Sequence, residues 1–168
     1  MSALRVGNGF DIHAFGDDLD PGRVLVLGGV SFPGERALRG HSDADVIAHA
    51  CAEALLGAAG LGDIGSHFPD SDERWAGADS LVLLAEVVRL LAADGWRAVN
   101  IDSSVVAERP KLAPARDEMQ SNLSSIVGAP VTVKGRRAES LGALGRGEGV
   151  ACWATALIEA TTNEGTSA

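Results

Sequence analysis

The sequence predicts an α+β fold: a single domain in which a mixed four-stranded sheet is covered by helices on one face. Three observations carry that expectation. The chain has 168 residues, the length of one domain, without a repeat, a linker or a break in composition. Short apolar runs of strand character are interspersed with longer stretches of helical apolar spacing. Apolar residues make up 46% of the chain but aromatics only 4%, with no Tyr, so the core is built from Val, Leu, Ile and Ala, with close approaches where Ala and Gly meet.

The elements follow in order. Residues 4–13 read as a strand interrupted by Gly7 and Gly9, where a backbone can approach a ligand or a neighbouring chain. Residues 23–27, Arg-Val-Leu-Val-Leu, form a short second strand ending at Gly28 and Gly29. Ser42 is expected to cap a helix with Asp43 and Asp45 in its first turn, running to about Gly60 and carrying Val46, Ile47, Ala50, Ala54 and Leu55. The loop 61–77 is rich in Gly, Asp and Pro, and a loop of that length inside one domain points to function. Asp79 or Ser80 caps a second helix with Leu84, Val87, Val88 and Leu91 at helical spacing, stopped by Asp94 and Gly95. Residues 98–108 form a strand with Val99, Ile101, Ser103 and Val105 on one face. Pro114 suits the first turn of a third helix over 115–127, ended by Gly128. Residues 131–134 are a strand, 135–148 a Gly- and Arg-rich loop, and 149–160 a final apolar strand. The domain is expected to span 1–160, with 161–168 a disordered tail.

Charge and hydropathy exclude several classes. With 14 Lys plus Arg against 23 Asp plus Glu, the net charge of −9 argues against a nucleic-acid partner, which would require clustered cations. A polyanionic substrate would need local help from metal ions or a few placed cations. No stretch reaches the ~18 uninterrupted apolar residues of a membrane span, and the first residues lack the apolar core of a signal peptide, so no membrane partner and a cytoplasmic location are expected. Cys51 and Cys152 have apolar surroundings and no CxxC spacing, which reads as two buried free thiols.

The chemistry starts at Asp11 and His13. One residue apart on a strand, their side chains share a face about 7 Å apart along the chain, a spacing that suits two ligands of one metal. His49, one of four histidines, is a candidate third ligand. Two imidazoles and a carboxylate leave a fourth tetrahedral position open, as in a catalytic zinc site.

Five ordered motifs then carry a resemblance. Arg5-Val6-Gly7-Asn8-Gly9-Phe10-Asp11-Ile12-His13 comes first, then Gly40-His41-Ser42-Asp43-Ala44-Asp45-Val46 with His49-Ala50. Gly60-Leu61-Gly62-Asp63-Ile64-Gly65 with His67-Phe68-Pro69-Asp70 follows, then Ala107-Glu108-Arg109-Pro110-Lys111, and Leu141-Gly142 with Gly145-Arg146-Gly147-Glu148-Gly149. In order and spacing they resemble the 2-C-methyl-D-erythritol 2,4-cyclodiphosphate synthase family over about residues 4–160.

The resemblance implies a homotrimer with sites between subunits. It also implies one divalent ion, zinc in type, on Asp11, His13 and His49, and a second, Mg or Mn, arriving with substrate near Glu139. The implied substrate is 4-diphosphocytidyl-2-C-methyl-D-erythritol 2-phosphate, closed to a cyclic diphosphate with release of CMP, a lyase step of non-mevalonate isoprenoid (terpenoid) biosynthesis. The nucleophile is then the substrate's own 2-phosphate, so the protein supplies in-line placement and charge neutralisation rather than a strong base. By the same matching, His41 and Ser42 hold phosphates, helped by free N–H groups at a helix start. Asp63, Ile64, Gly65, Phe68 and Asp70 hold the methylerythritol, and Ala107, Pro110 and Lys111 the cytidine phosphate.

One stretch departs from the family pattern. A threonine run is usual after Lys134, whereas this chain reads Gly135-Arg136-Arg137-Ala138-Glu139. Arg136 and Arg137 replace short neutral donors with charge and reach, and Arg137 occupies the position that, with His41, is expected to be catalytic. Ala143 stands where a Phe commonly faces the trimer's central channel. Arg146 and Glu148, the former also a candidate substrate contact, are expected to make ion pairs between subunits. Two other readings stand beside the synthase. One is a phosphohydrolase using the same metal ligands; the other is a non-catalytic or slow paralogue that binds cytidine nucleotides.

Overall fold

Alternation by two along the first strand decides the layering. In the computed structural model, which describes residues 3–16 and 22–161, β1 (Leu4–Ala14) turns Gly7, Gly9, Asp11 and His13 to one side and Leu4, Val6, Phe10 and Ile12 to the other. It pairs antiparallel with β6 (Gly149–Ala160), β6 pairs antiparallel with β4 (Trp96–Val106), and β4 pairs parallel with β5 (Val131–Arg136). The sheet order is β1-β6-β4-β5, the mixed four-stranded sheet expected from the sequence. The short strand after Arg23 lies outside it: β2 (Leu25–Leu27) and β3 (Val30–Phe32) form a separate hairpin. Apart from Thr161, the expected tail lies outside the described residues.

The helices cover the face that bears Gly7 and Gly9. Helix α1 (Val46–Ala59) packs on β1 and β6, α3 (Ser80–Ala93) on β4 and on α1, and α4 (Arg116–Val127) on β5. Because α1 lies between the sheet and α3, it is buried almost all round, which is why its sequence has no polar stripe. The loop after α1 is not structureless: it holds the single-turn helix α2 (Ile64–His67) and a 3₁₀ turn over Glu73–Trp75. The Arg-rich loop likewise contains a short α5 (Gly142–Gly145). In β4 a bulge between Ala98 and Asn100 shifts Val99 off the face that buries Ile101, Ser103 and Val105.

The glycines of β1 do face a close backbone, but it belongs to α1 of the same chain. A Cβ on Gly7 would lie 2.0 Å from the Ala54 carbonyl oxygen, and one on Gly9 would lie 2.0 Å from that of Ala50. Two residues along a strand advance about as far as one helical turn, so each step on β1 meets the next turn of α1. Gly7 meets Ala54 and Ala58, and Gly9 meets Ala50 and Ala54. Asp11 and His13 then arrive beside the first turn of α1, where His49 sits.

The start of α1 corrects the sequence reading. The N-cap is Asp45, not Ser42, and Ala44 at φ 60° turns the chain just before it, so Asp43 and Asp45 precede the helix instead of occupying its first turn. One buried Asp45 carboxylate accepts from Ile47 N (3.1 Å) and Ala48 N (3.2 Å) of α1 and from Gly28 N (2.9 Å) and Gly29 N (2.7 Å) of the hairpin turn. These helix N–H groups are therefore closed by the chain's own cap and not free for a phosphate. Asp79 caps α3 as expected, accepting from Leu81 N at 2.8 Å.

Cys51 on α1 and Cys152 on β6 are buried and unbridged, and burial pushes both thiols well above their ordinary range. Among the described residues, the other face of the sheet carries no helix. Leu4 and Val6 are 61% and 68% exposed there, and Phe10 lies against Trp153 of β6 with ring centroids 4.8 Å apart.

The contact of β1 with α1 yields a prediction. Gly9→Ala forces strand and helix apart and is expected to destabilise the protein by about 1–3 kcal/mol or more, read as a lower urea midpoint, whereas Gly57→Ala on α1, whose Cβ would meet only the Asn8 carbonyl at 3.7 Å, leaves the midpoint unlowered.

Candidate active site

Asp11 and His13 come from β1 and His49 from α1, and their ligating atoms lie within 4.8 Å of one another. Asp11 Oδ2 is 3.0 Å from His13 Nε2 and 3.0 Å from His49 Nδ1, and the two imidazole nitrogens are 3.3 Å apart. Two nitrogens and a carboxylate oxygen converging in this way fit a divalent transition-metal ion with one position left for a substrate oxygen.

The outer hydrogen bonds select the tautomers. His13 Nδ1 lies 2.7 Å from the Arg39 carbonyl, which can only accept, so Nδ1 carries the proton and Nε2 offers its lone pair. His49 Nε2 faces the hydroxyls of Ser80 (2.9 Å) and Ser42 (3.2 Å), and Ser80 in turn donates its hydroxyl proton to Asp43. That relay, closed by Ser80 N on the second Asp43 oxygen at 3.1 Å, assigns the proton to Nε2 of His49 and leaves Nδ1 for a metal. Electrostatics agree. Burial raises the Asp11 pKa, but the hydrogen bonds and charges of His13 and His49 outweigh it and hold the carboxyl at about 2. Burial lowers that of His13, and the Asp11 hydrogen bond and charge outweigh it, raising it above 6.5.

A cleft of about 210 Å³ opens over this cluster, lined by Asp11, His13, His41, Ser42, His49, Ile64, Gly65, Phe68 and Asp70 together with Gly40, Trp75 and Leu83. Most of the expected phosphate and polyol positions thus share one wall. Asp63 does not line it: its carboxylate caps α2, accepting from Ser66 N and Oγ at 2.7 Å each. His41 Nε2 lies 3.2 Å from the Asp72 carbonyl. Trp75 meets Phe68 edge to face at 5.0 Å, and its buried Nε1–H has no hydrogen-bond partner among the described residues.

A second cleft, about 240 Å³, gathers Ala107, Pro110, Lys111, Arg136 and Arg137, with Glu108 and Arg116. The two arginines that depart from the family pattern therefore share this cavity with the expected cytidine-phosphate loop. Glu108 anchors the segment that follows them by accepting from Ala138 N at 2.8 Å. Glu139 is exposed, at φ 51°, and is not part of the Asp11 cluster. Arg146 and Glu148 lie on the surface, where Arg146 Nε donates to Glu148 Oε1 at 2.6 Å within the chain.

The cross-strand register relates the two clefts. Ile12 pairs with Ala151, Ala151 with Val106, and Val106 with Arg136, so one row crosses the whole sheet. Asp11 and His13 flank its β1 end and Arg136 marks its β5 end, three strand spacings or about 14 Å away.

A model of the YgbB family matches residues 4–159. The chain belongs to the YgbB family. Its curated relatives include the 2-C-methyl-D-erythritol 2,4-cyclodiphosphate synthases of Rubrobacter xylanophilus, 53% identical over 95% of this chain and 97% of that one, and of Symbiobacterium thermophilum, 53% identical over 92% and 98%. Among solved structures, the Plasmodium falciparum IspF complex with CDP superimposes with a TM-score of 0.81 at 30% identity, covering 96% of this chain and 99% of that one. The bifunctional IspDF of Campylobacter jejuni gives 0.88 at 38% identity, where this chain covers 95% of itself and 43% of the larger protein.

Within this YgbB domain, sequence reasoning missed Trp75 and Leu83, which line the cleft, and Ser80, which supports His49 by a hydrogen bond; all three come from segments without a recognisable site motif. Asp43 was read as helix-start acidity within the second motif; in the structure it accepts from Ser80 N and Oγ and so orients Ser80.

Two predictions follow from the cluster. His49→Ala abolishes stoichiometric binding of a divalent ion, and Ser80→Ala, which removes only the outer support, weakens it by about 10–100-fold in a chelator-competition titration. Because Asp11 favours the protonated form of His13, metal binding has to displace that proton. Affinity is therefore expected to fall by up to about tenfold per pH unit below the elevated His13 pKa and to level off above it.

Proposed function

We propose that this chain converts 4-diphosphocytidyl-2-C-methyl-D-erythritol 2-phosphate into 2-C-methyl-D-erythritol 2,4-cyclodiphosphate and CMP. In class this is a phosphorus–oxygen lyase of cytoplasmic, non-mevalonate isoprenoid biosynthesis. The observation that carries the reading is the Asp11, His13 and His49 donor set, complete with its outer hydrogen bonds, in a chain 53% identical to named synthases. The same completeness disfavours a non-catalytic paralogue.

In the proposed reaction an oxygen of the 2-phosphate forms a bond to the β-phosphorus while the bond to the bridging α–β oxygen breaks, and CMP leaves with that oxygen. A zinc-type ion on Asp11, His13 and His49, with a second divalent ion near Glu139, would supply Lewis acidity to the diphosphate. The chain's own residues do the placing. Ile64, Gly65 and Phe68 offer a wall for the carbon skeleton, and Asp70 an acceptor for hydroxyls. His41 and Ser42 lie beside the metal ligands, where phosphate oxygens would sit. Ala107, Pro110 and Lys111 bound the cytidine end, with Arg136 and Arg137 as the nearby cations; Arg146 lies in an adjoining hollow with Arg109.

The separation of the two clefts favours a homotrimer. One substrate has to reach both a metal-bound diphosphate and a cytidine loop, yet on one chain these lie at opposite edges of the sheet. A neighbour that lays its β5 edge beside this β1 edge joins them, and the exposed Leu4, Val6, Phe10 and Trp153 supply apolar surface for such packing. Sedimentation at micromolar concentration is expected to give about three times the 17.2 kDa chain mass, and a monomer would remove this part of the proposal.

The deciding assay is CMP release from the cytidyl substrate with zinc and magnesium present; inorganic phosphate as product instead would identify a hydrolase. Arg137→Thr is expected to raise kcat while weakening salt-sensitive affinity, because a short hydroxyl donor is ordered at less entropic cost than an arginine of up to ~2 kcal/mol. If that variant loses turnover altogether, Arg137 is itself the catalytic cation.

A further inference from the structure

Both histidine ligands lean on one short segment. His13 is oriented by the Arg39 carbonyl at 2.7 Å, and His49 faces the Ser42 hydroxyl at 3.2 Å. Between them Gly40 is packed so closely that a Cβ there would lie 2.8 Å from Ala44 Cβ and 3.3 Å from His13 Cε1. Residues 39–42 are neither helix nor regular strand, so their position depends on what holds their backbone.

The hydrogen bonds of that backbone are specific. Arg39 N donates to the Ala14 carbonyl at 2.8 Å, and the His41 carbonyl accepts from Gly77 N at 2.7 Å. The carbonyls on either side of His41 both go to one side chain: Arg23 Nη1 donates to Gly40 O at 2.9 Å and Nη2 to Ser42 O at 2.5 Å. Arg23 is half-buried and does not line the metal cleft. A guanidinium presents its donors in a rigid planar fork and can span two carbonyls at once, whereas an ammonium is a point donor without that fixed geometry.

We propose that Arg23 is a positioning residue for the active site, a clamp that fixes the 39–42 loop and through it the rings of His13 and His49 and the placement of His41. It acts through the loop and touches neither ion nor substrate. This goes beyond the proposed reaction, which assigns Arg23 no part.

The test compares zinc affinity, by competition with a chromophoric chelator, in the wild-type protein, Arg23→Lys and Arg23→Ala, with folding followed by circular dichroism. Arg23→Ala is expected to fold and to bind zinc about tenfold or more weakly, with Arg23→Lys intermediate and guanidinium ion restoring part of the loss in the alanine variant alone. CMP-release kinetics should show the defect mainly in kcat, since contacts to the cytidine end are untouched. Zinc affinity within about twofold of wild type in Arg23→Ala overturns the proposal. If Arg23→Ala does not fold, Arg23→Lys decides: wild-type zinc affinity and kcat overturn the clamp, and a loss of both supports it. The turnover arm rests on the proposed reaction and the zinc arm does not. A wild-type protein that releases no CMP therefore counts against the reaction and leaves Arg23 to be judged on zinc.

Discussion

The direct contact of β1 with α1 is the constraint on which the site depends. Asp11 and His13 lie on one of these elements and His49 on the other, so their separation sets whether the three can meet. Side chains between strand and helix would hold the backbones well apart, as in ordinary helix-on-sheet packing. Here Gly7 and Gly9 remove that spacer on the strand, and Ala50, Ala54 and Ala58 reduce it on the helix. The same row that is empty of side chains at Gly7 and Gly9 carries ligands at Asp11 and His13. Small residues at one end of the contact thus make room for a carboxylate and two imidazoles at the other.

This dependence explains what was legible in the sequence and what was not. The spacing of Asp11 and His13 is a local fact about a strand, and the strand formed as expected. The need for a close approach at Gly7 and Gly9 was legible too, but its partner was not, because a glycine reports that something comes near without naming it. The helix start is a different case. Ser42, Asp43 and Asp45 are all good caps by residue type, and the choice of Asp45 depends on a left-handed Ala44 and on hairpin N–H groups seventeen and sixteen residues upstream. Ser42, freed from capping, turns its hydroxyl to His49. Ser80 and Trp75 were invisible because they join the site only through tertiary folding.

The arrangement also separates two kinds of work. Around Asp11, His13 and His49 nearly every polar atom is committed to another, through Arg39, Ser42, Ser80 and Asp43, so little reorganisation would be left for the moment of reaction. Around Lys111, Arg136 and Arg137 the cavity is lined by longer, exposed cations. Rigid support therefore lies where bonds would change, and reach lies where a nucleotide would be held. The departure from the family pattern falls in the second region, which is why it leaves the first intact.

The two cysteines have a practical consequence. Both thiols are shut inside the core and held in their protonated, unreactive form. The native protein is thus already silent toward maleimide and similar reagents without deletion of any sulfur. A cysteine introduced at Val82, exposed on the outer side of α3 and remote from the unhelixed sheet face, would be the one labelling handle. A fluorophore there would ride on the helix that supplies Ser80 and leave Asp11, His13 and His49 as they are.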